Sequence, residues 1–526
     1  MTTRAGIVEP ERRPAYVGGA LAGVMAGILA LLASAAIRLS GGPVSLPEQL
    51  FDAIVVSTPG HIESLAISRL RHAAKPLLLA GSTGIILVAC AATGVVVAAL
   101  DSRRGGPTLY GRVALWTISP FALGGALAGL VRAGGDRWQG LTAVVAAQAV
   151  FAGGMALWRL GRGPIVDASG PIVRRRDLLR MGANLAFVAA VGTFAAAAAR
   201  GVWVRGRRPK LDVAAVERPG VPQGVFQRPE LTTLVAREVT PTPLFYRVSK
   251  NALDPAVDAD RWRLAVGGLV GRPLELGLND LKRLPRLERY HTLTCISNEI
   301  GDGLIGNARW SGVRLVDVLE LAQVAAEARH VNFHCADGYV ESISMDLART
   351  TLLTYTMNGG PLEDRHGLPL RALVPGTYGM KNPKWITRID AAASPEQGFW
   401  NKLGWDAGAP PRIFSRIDVP QARVVAMGDV VLGGIAFAGN RGISRVEVSS
   451  DGGETWHEAE LRPPLSANAW VLWATVWRPG RNGDHVLTVR ATDGAGTTQS
   501  PEIRSPFPSG VSGYHRMTVT VEGGKP

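Results

Sequence analysis

The first 200 residues contain a series of long uncharged apolar runs, and these constrain the fold more than any other feature. About 20 helical residues are enough to cross the hydrocarbon core of a bilayer. Five runs reach or approach this length: residues 14–37, 76–100, 113–131, 140–158 and 181–199. They predict an N-terminal α-helical transmembrane bundle of about five helices within residues 1–200. Gly19, Gly23 and Gly27 lie one turn apart and predict close helix packing.

Charged residues give this bundle a predicted orientation. The chain is 47% hydrophobic with a formal net charge of +14, and arginines are frequent near the ends of the apolar runs that would face the cytoplasm. Five crossings from an inside N-terminus predict a multi-pass protein of the plasma membrane with its C-terminal half on the extracytoplasmic side. Because the charges cluster at membrane ends, nucleic acid is not an expected partner.

Residues 174–180 read Arg-Arg-Arg-Asp-Leu-Leu-Arg before the fifth run. This segment resembles the twin-arginine export signal, in which a basic pair precedes apolar residues. A plain cytoplasmic cluster of arginines is the alternative interpretation. The export interpretation gains if the C-terminal half carries a cofactor that is inserted before translocation.

The remainder of the chain predicts two folded domains after a linker. Residues 201–240 are rich in Pro, Gly and Arg without periodicity and predict a linker or extended arm. Residues 241–400 mix strand and helix patterns and predict an α+β domain. Residues 412–522 alternate in short strands between turns, which predicts a β-sandwich of immunoglobulin-like architecture.

Three cysteines are present, Cys90, Cys295 and Cys335, and none forms a CxxC pair. Cys295 ends an apolar strand where a loop rich in Gly and Asn begins. It has three interpretations: a small buried residue, a disulfide partner of Cys335, or a thiolate that acts as nucleophile or soft metal ligand.

A set of ordered motifs extends over roughly residues 240–393. It comprises residues 245–247, 295–298, 306–313, 338–343, 357–362, 365–371 and 375–385. Together these motifs resemble the sulfite oxidase family of molybdopterin-dependent oxidoreductases, and the sandwich behind them resembles that family's dimerisation domain. The apolar N-terminal region has no counterpart in the soluble members.

The resemblance implies a molybdenum ion held by Cys295 and by the dithiolene of a pyranopterin. Residues at matching positions would bind the cofactor: Tyr246, Arg247, Asp337, His366, Arg371, Lys381, Asn382 and Lys384. Arg247 and Tyr339 would act with Cys295 in catalysis, around a small anionic substrate. Lys381 stands where better-known members carry arginine, and a lysine does not reproduce the planar arginine fork.

The implied function is oxo transfer on a small anion, with sulfite oxidation to sulfate favoured. No CxxCH motif occurs, so no haem is predicted, and electrons would leave to a separate cytochrome or quinone. A homodimer formed through the sandwich is expected. Two alternatives are a reductase of sulfoxides or other small molecules, and a membrane receptor or scaffold without catalytic activity.

Overall fold

The computed structural model describes the chain in separate stretches: residues 13–39, 45–58, 62, 73–101, 147–148, 150–155, 223–251, 254–406, 408 and 410–523. The chain divides into two compact units: the first contains the N-terminal helices, and the second contains the described residues of 223–249 and 254–523.

Three long described helices belong to the first unit, α1 Arg13–Leu39, α2 Leu46–Ser57 and α3 Ala74–Asp101, and Ala147, Phe151 and Met155 pack in one apolar cluster with them. Helices α1 and α3 pack backbone to backbone, because a Cβ atom at Gly23 or Gly94 would collide with the main chain of the facing helix. The glycine spacing that predicts close packing therefore matches a real helix pair.

Among the described residues, α1 and α3 are the two helices long and apolar enough to cross a membrane. Residues 147–148 and 150–155 of the fourth apolar run are helical. The third and fifth runs and the Arg174–Arg180 motif lie outside the described residues. The described chain thus contains two candidate spans where the sequence predicts about five.

The segment before the α+β domain is folded from residue 223, although the sequence predicts a linker over 201–240. It contains two short 3-10 turns and helix α4, Thr232–Ala236. Leu231, Leu234 and Phe226 are buried in one apolar cluster with Val431 and other residues of the sandwich. Apolar burial holds this arm in place, and its spacing is too irregular for a periodicity argument to find.

Two sheets build the α+β domain. The first is ordered β2-β1-β10-β5-β6 and the second β3-β4-β7-β8, with β9 paired to β7. The strands are β1 Leu264–Gly268, β2 Leu274–Leu276, β3 Leu287–Thr294, β4 Ile305–Arg314, β5 His330–Cys335, β6 Val340–Ser344, β7 Leu352–Met357, β8 Gly360–Pro361, β9 Arg371–Leu373 and β10 Ile386–Ala392. The helices are α5 Leu278–Leu281, α6 Leu315–Leu321, α7 Met345–Thr350 and α8 Phe399–Lys402.

Residues 414–522 form a sandwich of two sheets, ordered β11-β13-β17-β16 and β12-β19-β18-β14-β15. The strands are β11 Phe414–Val419, β12 Val424–Ala426, β13 Val430–Phe437, β14 Ile443–Ser449, β15 His457–Glu458, β16 Glu460–Leu461, β17 Val471–Trp477, β18 Gly483–Asp493 and β19 His515–Glu522. Buried residues of both sheets, such as Leu432, Trp473 and Val489, share one core. The predicted sandwich is present, and its immunoglobulin-like classification stays a prediction.

Candidate active site

Cys295 lies directly after strand β3, where the chain leaves the second sheet. Its N–H donates to the Leu304 carbonyl at 2.9 Å, which closes the base of the loop that joins β3 to β4. Its Sγ lies 3.0 Å from Ser297 Oγ. All three cysteines are outside any disulfide, so the bridge to Cys335 is not formed. Cys295 is buried, with an exposed fraction of 9%, and lies at the base of this loop.

A group of aromatic and basic side chains forms beside this sheet. The Phe245 ring stacks on Tyr246 and meets the edges of Trp310 and His366. Arg371, on β9, places its guanidinium 5.0 Å from the Trp310 ring centre. Tyr246 lies close enough to Cys295 for the thiolate to raise the pKa of the phenol, although burial is the larger cause. Three predicted cofactor residues, Tyr246, His366 and Arg371, therefore belong to one group, and Tyr246 is the member that adjoins Cys295.

Arg371 is 5% exposed, and burial lowers the pKa of its guanidinium to about 10. It therefore stays protonated at neutral pH. Its Nη1 donates to the His366 carbonyl at 3.0 Å, but its Nε has no acceptor within the described part of the chain. No carboxylate of the described residues pairs with it. A buried cation without a counter-ion is strongly destabilising unless an anion completes the site.

Two neutral histidines adjoin this cation. Burial, followed by the charge of Arg371, lowers the pKa of His366 to about 3. Burial, followed by Arg289 and Arg371, lowers the pKa of His291 to about 3 as well. The Nδ1 of His291 also finds no partner among the described residues. Both imidazoles are therefore uncharged donors or acceptors at neutral pH.

This donor set fits the phosphate of a pyranopterin. An arginine with an unpartnered Nε–H and an imidazole with an unpartnered ring nitrogen offer hydrogen bonds to an anion, the first of them charge-assisted. Aromatic rings around them exclude water and strengthen those bonds. Cys295 adds a soft sulfur ligand suited to a high-valent metal.

Lys381 and Tyr339 have different surroundings. Lys381 Nζ lies 2.6 Å from Glu341 Oε1, and that carboxylate is fully buried. The Tyr339 hydroxyl donates to the Met380 carbonyl at 2.6 Å and lies 3.3 Å from Glu341 Oε2. Burial raises the pKa of Glu341, and Lys381 opposes this shift. The charge of Lys381 and the hydroxyl of Tyr339 are thus both engaged by protein groups.

Asn382 is engaged as well. Its Oδ1 accepts from Val374 N–H at 2.7 Å, and its Nδ2 donates to the Tyr378 carbonyl at 2.9 Å. The side chain bridges the loop between β9 and β10. This loop abuts the segment that leads into Cys295, because a Cβ atom at Gly379 would lie 2.8 Å from the Tyr246 hydroxyl and 3.3 Å from the Thr294 carbonyl oxygen.

The remaining predicted residues lie nearer the surface. Arg247 is 57% exposed and 3.8 Å from Asp254. Asp337 caps the β5–β6 turn by accepting from Tyr339 N–H at 3.0 Å. Lys384 Nζ lies 4.2 Å from the centre of the Trp385 ring. Lys384 Nζ also donates to the Arg365 carbonyl at 3.2 Å, and after burial and Arg371 its charge also contributes to the lowered pKa of His366, so this lysine adjoins the Arg371 group.

Sequence reasoning missed three residues of this region. His291 alternates with Leu293 along β3, and that spacing could have indicated an inward histidine. Glu341 lies inside one of the family motifs and could have been weighed as the partner of a lysine. Trp405 packs with Ile296 and its buried Nε1–H lacks an acceptor in the described chain; no local pattern marks it.

Two family models match the chain. An oxidoreductase molybdopterin binding domain matches residues 251–400, and a Mo-co oxidoreductase dimerisation domain matches residues 415–522.

Curated relatives agree with these models. The mitochondrial sulfite oxidase of Rattus norvegicus is 35% identical over 298 residues, which are 47% of this chain and 54% of that protein. The sulfite oxidase of Arabidopsis thaliana is 33% identical over 363 residues, 57% of this chain and 90% of that protein. The chain spans about half the length of the mammalian enzymes that it matches.

Among solved structures, the sulfane dehydrogenase of Paracoccus pantotrophus aligns with a TM-score of 0.49 and 23% identity, covering 54% of this chain and 84% of that one. Family membership follows from the Arabidopsis enzyme, nine-tenths of which is matched at 33% identity. The chain belongs to the sulfite oxidase family of molybdopterin oxidoreductases.

Proposed function

We propose that this protein is a molybdenum-cofactor oxidoreductase that oxidises sulfite or a related small anion. One observation carries the proposal: Cys295 lies at the base of a closed loop, and Tyr246 adjoins both Cys295 and the buried Arg371, which lacks a counter-ion among the described residues. Molybdenum, when bound, supplies the oxo transfer and accepts two electrons from the substrate. The chain itself binds and orients the cofactor and excludes water from it.

The site residues have separate proposed roles. Cys295 is the protein ligand of the metal, and Tyr246, His366 and Arg371 hold the pterin and its phosphate. Arg247 lies at the surface and Lys384 is partly exposed beside the Arg371 group, and both attract anions toward the site. Asp337, Asn382, Lys381 and Tyr339 shape the turns that border it. The sulfite oxidases among the relatives support sulfite as the first substrate to test.

Two matched cysteine variants test the assignment. We expect Cys295→Ser to abolish sulfite-dependent reduction of ferricyanide by detergent-purified protein of known molybdenum content. Cys335→Ser is the control, because Cys335 is similarly buried but belongs to the apolar core of the first sheet. Full activity of Cys295→Ser would contradict the proposal, as would equal losses in both variants.

A second candidate function is the reduction of sulfoxides. The side chains that pack with Ile296, beside Cys295, are Tyr378, Met380, Leu403 and Trp405. This apolar cluster suits a neutral, partly apolar substrate whose acceptor oxygen could take a hydrogen bond from the Trp405 indole N–H. Turnover of a methyl sulfoxide with reduced viologen, and none with sulfite, would favour this function. An inactive receptor or scaffold, the other alternative, would instead purify without molybdenum.

We also propose that α1 and α3 anchor the protein in a membrane. Large apolar side chains cover their outer faces: Val17, Leu21, Met25, Ile28, Leu32, Leu77, Ile85, Val88 and Val96 are exposed. A core helix of a soluble protein would bury such residues, whereas lipid solvates them. Retention in the pellet after carbonate extraction supports the anchor, and release into the supernatant contradicts it.

The remaining parts of the proposal are export, dimerisation and electron transfer. The Arg174–Arg180 motif would export the folded, cofactor-loaded domain, and Arg175→Lys with Arg176→Lys should leave that domain protected from external protease.

The matched dimerisation domain supports a homodimer. Electrons would pass to a separate cytochrome or to a quinone, and quinone reduction by protein lacking residues 1–200 would exclude a quinone site in the helices.

A further inference from the structure

The β-sandwich contacts the loop that carries the metal ligand. The loop, residues 295–304, is closed at its base by Cys295 and Leu304, and Asn298 Oδ1 accepts from Leu304 N–H at 2.8 Å. These bonds fix the base of the loop but not its tip at residues 300–303. The tip is held by groups that come from the sandwich.

Arg416, on β11, provides the first of these contacts. Its Nη1 donates to the Asp302 carbonyl at 2.6 Å, and its Nε donates to Asp418 Oδ1 at 2.7 Å. The Arg416 side chain is 16% exposed, so the bond is largely shielded from water. Because Asp418 orients the guanidinium, the donor to Asp302 is preorganised.

His515, on β19, provides the second contact. Its Nδ1 accepts from Ile417 N–H at 3.0 Å, which leaves the opposite edge of the ring against Gly301. Gly301 has a φ of +74°, and a Cβ atom there would collide with the imidazole. Glycine is therefore required both by the backbone conformation and by the space that His515 takes.

A third set of contacts reaches the apolar cluster that contains Ile296, Tyr378 and Trp405, next to Cys295. The Tyr378 hydroxyl accepts from Arg412 N–H at 2.9 Å, and Trp405 meets the Phe507 ring edge to face at 5.2 Å. Both sheets of the sandwich and its residue 507 loop thus reach the surroundings of Cys295.

We propose that the sandwich is a positioning element of the active site, in which Arg416 and His515 fix the 295–304 loop and thereby the Cys295 sulfur. This role is additional to dimerisation. It rests on the proposed role of Cys295 as metal ligand. Loss of either contact frees the tip, so that only the bonds at the base hold the loop and the segment around Cys295 opens more often.

The test compares Arg416→Gln with Arg490→Gln in the full-length chain. Arg490 is the matched control, because it forms a forked ion pair with Glu447 within the same sandwich but does not touch the loop. The first readout is the alkylation rate of Cys295 by iodoacetamide in cofactor-free protein, resolved by peptide mass spectrometry with Cys335 as internal reference.

We expect Arg416→Gln to raise the Cys295 alkylation rate about tenfold, as for loss of one charge-assisted hydrogen bond. Arg490→Gln and the Cys335 rate should not change. In the molybdenum-loaded protein the thiolate-to-metal absorption should shift, and turnover should fall with unchanged metal content and dimer state. Arg416→Lys should restore part of the loss, since an ammonium can still donate to Asp302.

Gly301→Ala probes the same contact from the loop side and keeps the proposal testable if Arg416→Gln does not fold. We expect faster Cys295 alkylation in Gly301→Ala, and also in His515→Ala, which removes the ring that packs on Gly301. Unchanged alkylation in Gly301→Ala and Arg416→Gln would overturn the proposal. Because alkylation needs neither metal nor sulfite, a wild-type protein inactive on sulfite would refute the proposed function without affecting this result.

Discussion

Arg371 is a buried cation of the α+β domain and Lys381 a largely buried one, yet only Lys381 has a counter-ion within the described chain. Lys381 lies 2.6 Å from the fully buried carboxylate of Glu341. Arg371 lies over an aromatic ring with its Nε unpartnered among the described residues. A charge already neutralised by the fold offers little to an incoming anion, whereas an uncompensated one requires it. The comparison therefore separates a structural cation from a ligand-binding one.

The largest effect is expected on removal of Lys381, which tests whether this lysine is a structural cation. We expect Lys381→Met to lower the free energy of unfolding by about 3–5 kcal/mol, because it leaves a buried carboxylate without its partner. The measurement is urea denaturation, with Arg283→Met as control, since the Arg283–Asp280 pair is largely exposed. Lys381→Met combined with Glu341→Gln should recover most of the loss; equal instability of the double variant would contradict the pairing.

Removal of Arg371 tests whether this arginine is the cation that binds a ligand. We expect Arg371→Met to weaken cofactor binding by about 10- to 100-fold, the effect of losing hydrogen bonds worth about 1.5–3 kcal/mol to a charged group. Molybdenum and pterin content of the purified protein measure this loss. Arg365→Met is the control, because Arg365 lies in the same motif but pairs with Glu363. Normal pterin content in Arg371→Met would refute the phosphate site.

The histidines beside Arg371 predict a pH dependence of stability. The pKa of His366 is lowered to about 3, against about 6.5 when unfolded. Between these values the unfolded chain binds more protons, so the free energy of unfolding falls as pH falls, by about 1.4 kcal/mol per unit for one histidine.

Denaturation of cofactor-free protein between about pH 6.5 and about pH 4 measures this slope, because that window lies below the unfolded and above the folded pKa. His366→Gln should flatten it, whereas His457→Gln, on the exposed strand β15, should not. Bound phosphate would stabilise the imidazolium and flatten the slope as well. A slope that is identical in the wild type and in His366→Gln would exclude a neutral buried His366.

The smallest expected effect concerns Tyr339. Tyr339→Phe removes the donor to the Met380 carbonyl and should lower the free energy of unfolding by about 0.5–1.5 kcal/mol. If Tyr339 only supports this turn, steady-state kinetics should give a KM for sulfite near the wild-type value. Turnover that falls by about two orders of magnitude without a loss of stability would support the catalytic role implied by the family resemblance.

The local position of the motif residues could be predicted from the sequence, whereas their distant partners could not. The sequence places Cys295 at the end of a strand and before a loop, as the structure does, because strand alternation and glycine-rich turns are local signals. The β14 strand at Ile443–Ser449 was predictable for the same reason. The matches to the molybdopterin binding and dimerisation domains confirm the family that the motifs indicate.

What distinguishes Lys381 from Arg371 is not local. The partner of Lys381 comes from β6, 40 residues earlier, and no periodicity links the two positions. The contacts of Arg416 and His515 with the Cys295 loop likewise join residues more than 100 positions apart. Such pairs depend on how sheets are arranged, which composition and spacing do not specify.

The three unbridged cysteines of this protein have a consequence for its biosynthesis. Since none of them forms a disulfide, the covalent structure is the same in a reducing and in an oxidising compartment. The second unit would therefore have the same covalent structure in the compartment where the proposed cofactor is inserted and in the one to which the proposed export delivers it. A change of redox environment would threaten the Cys295 sulfur itself, which metal coordination would then protect from oxidation.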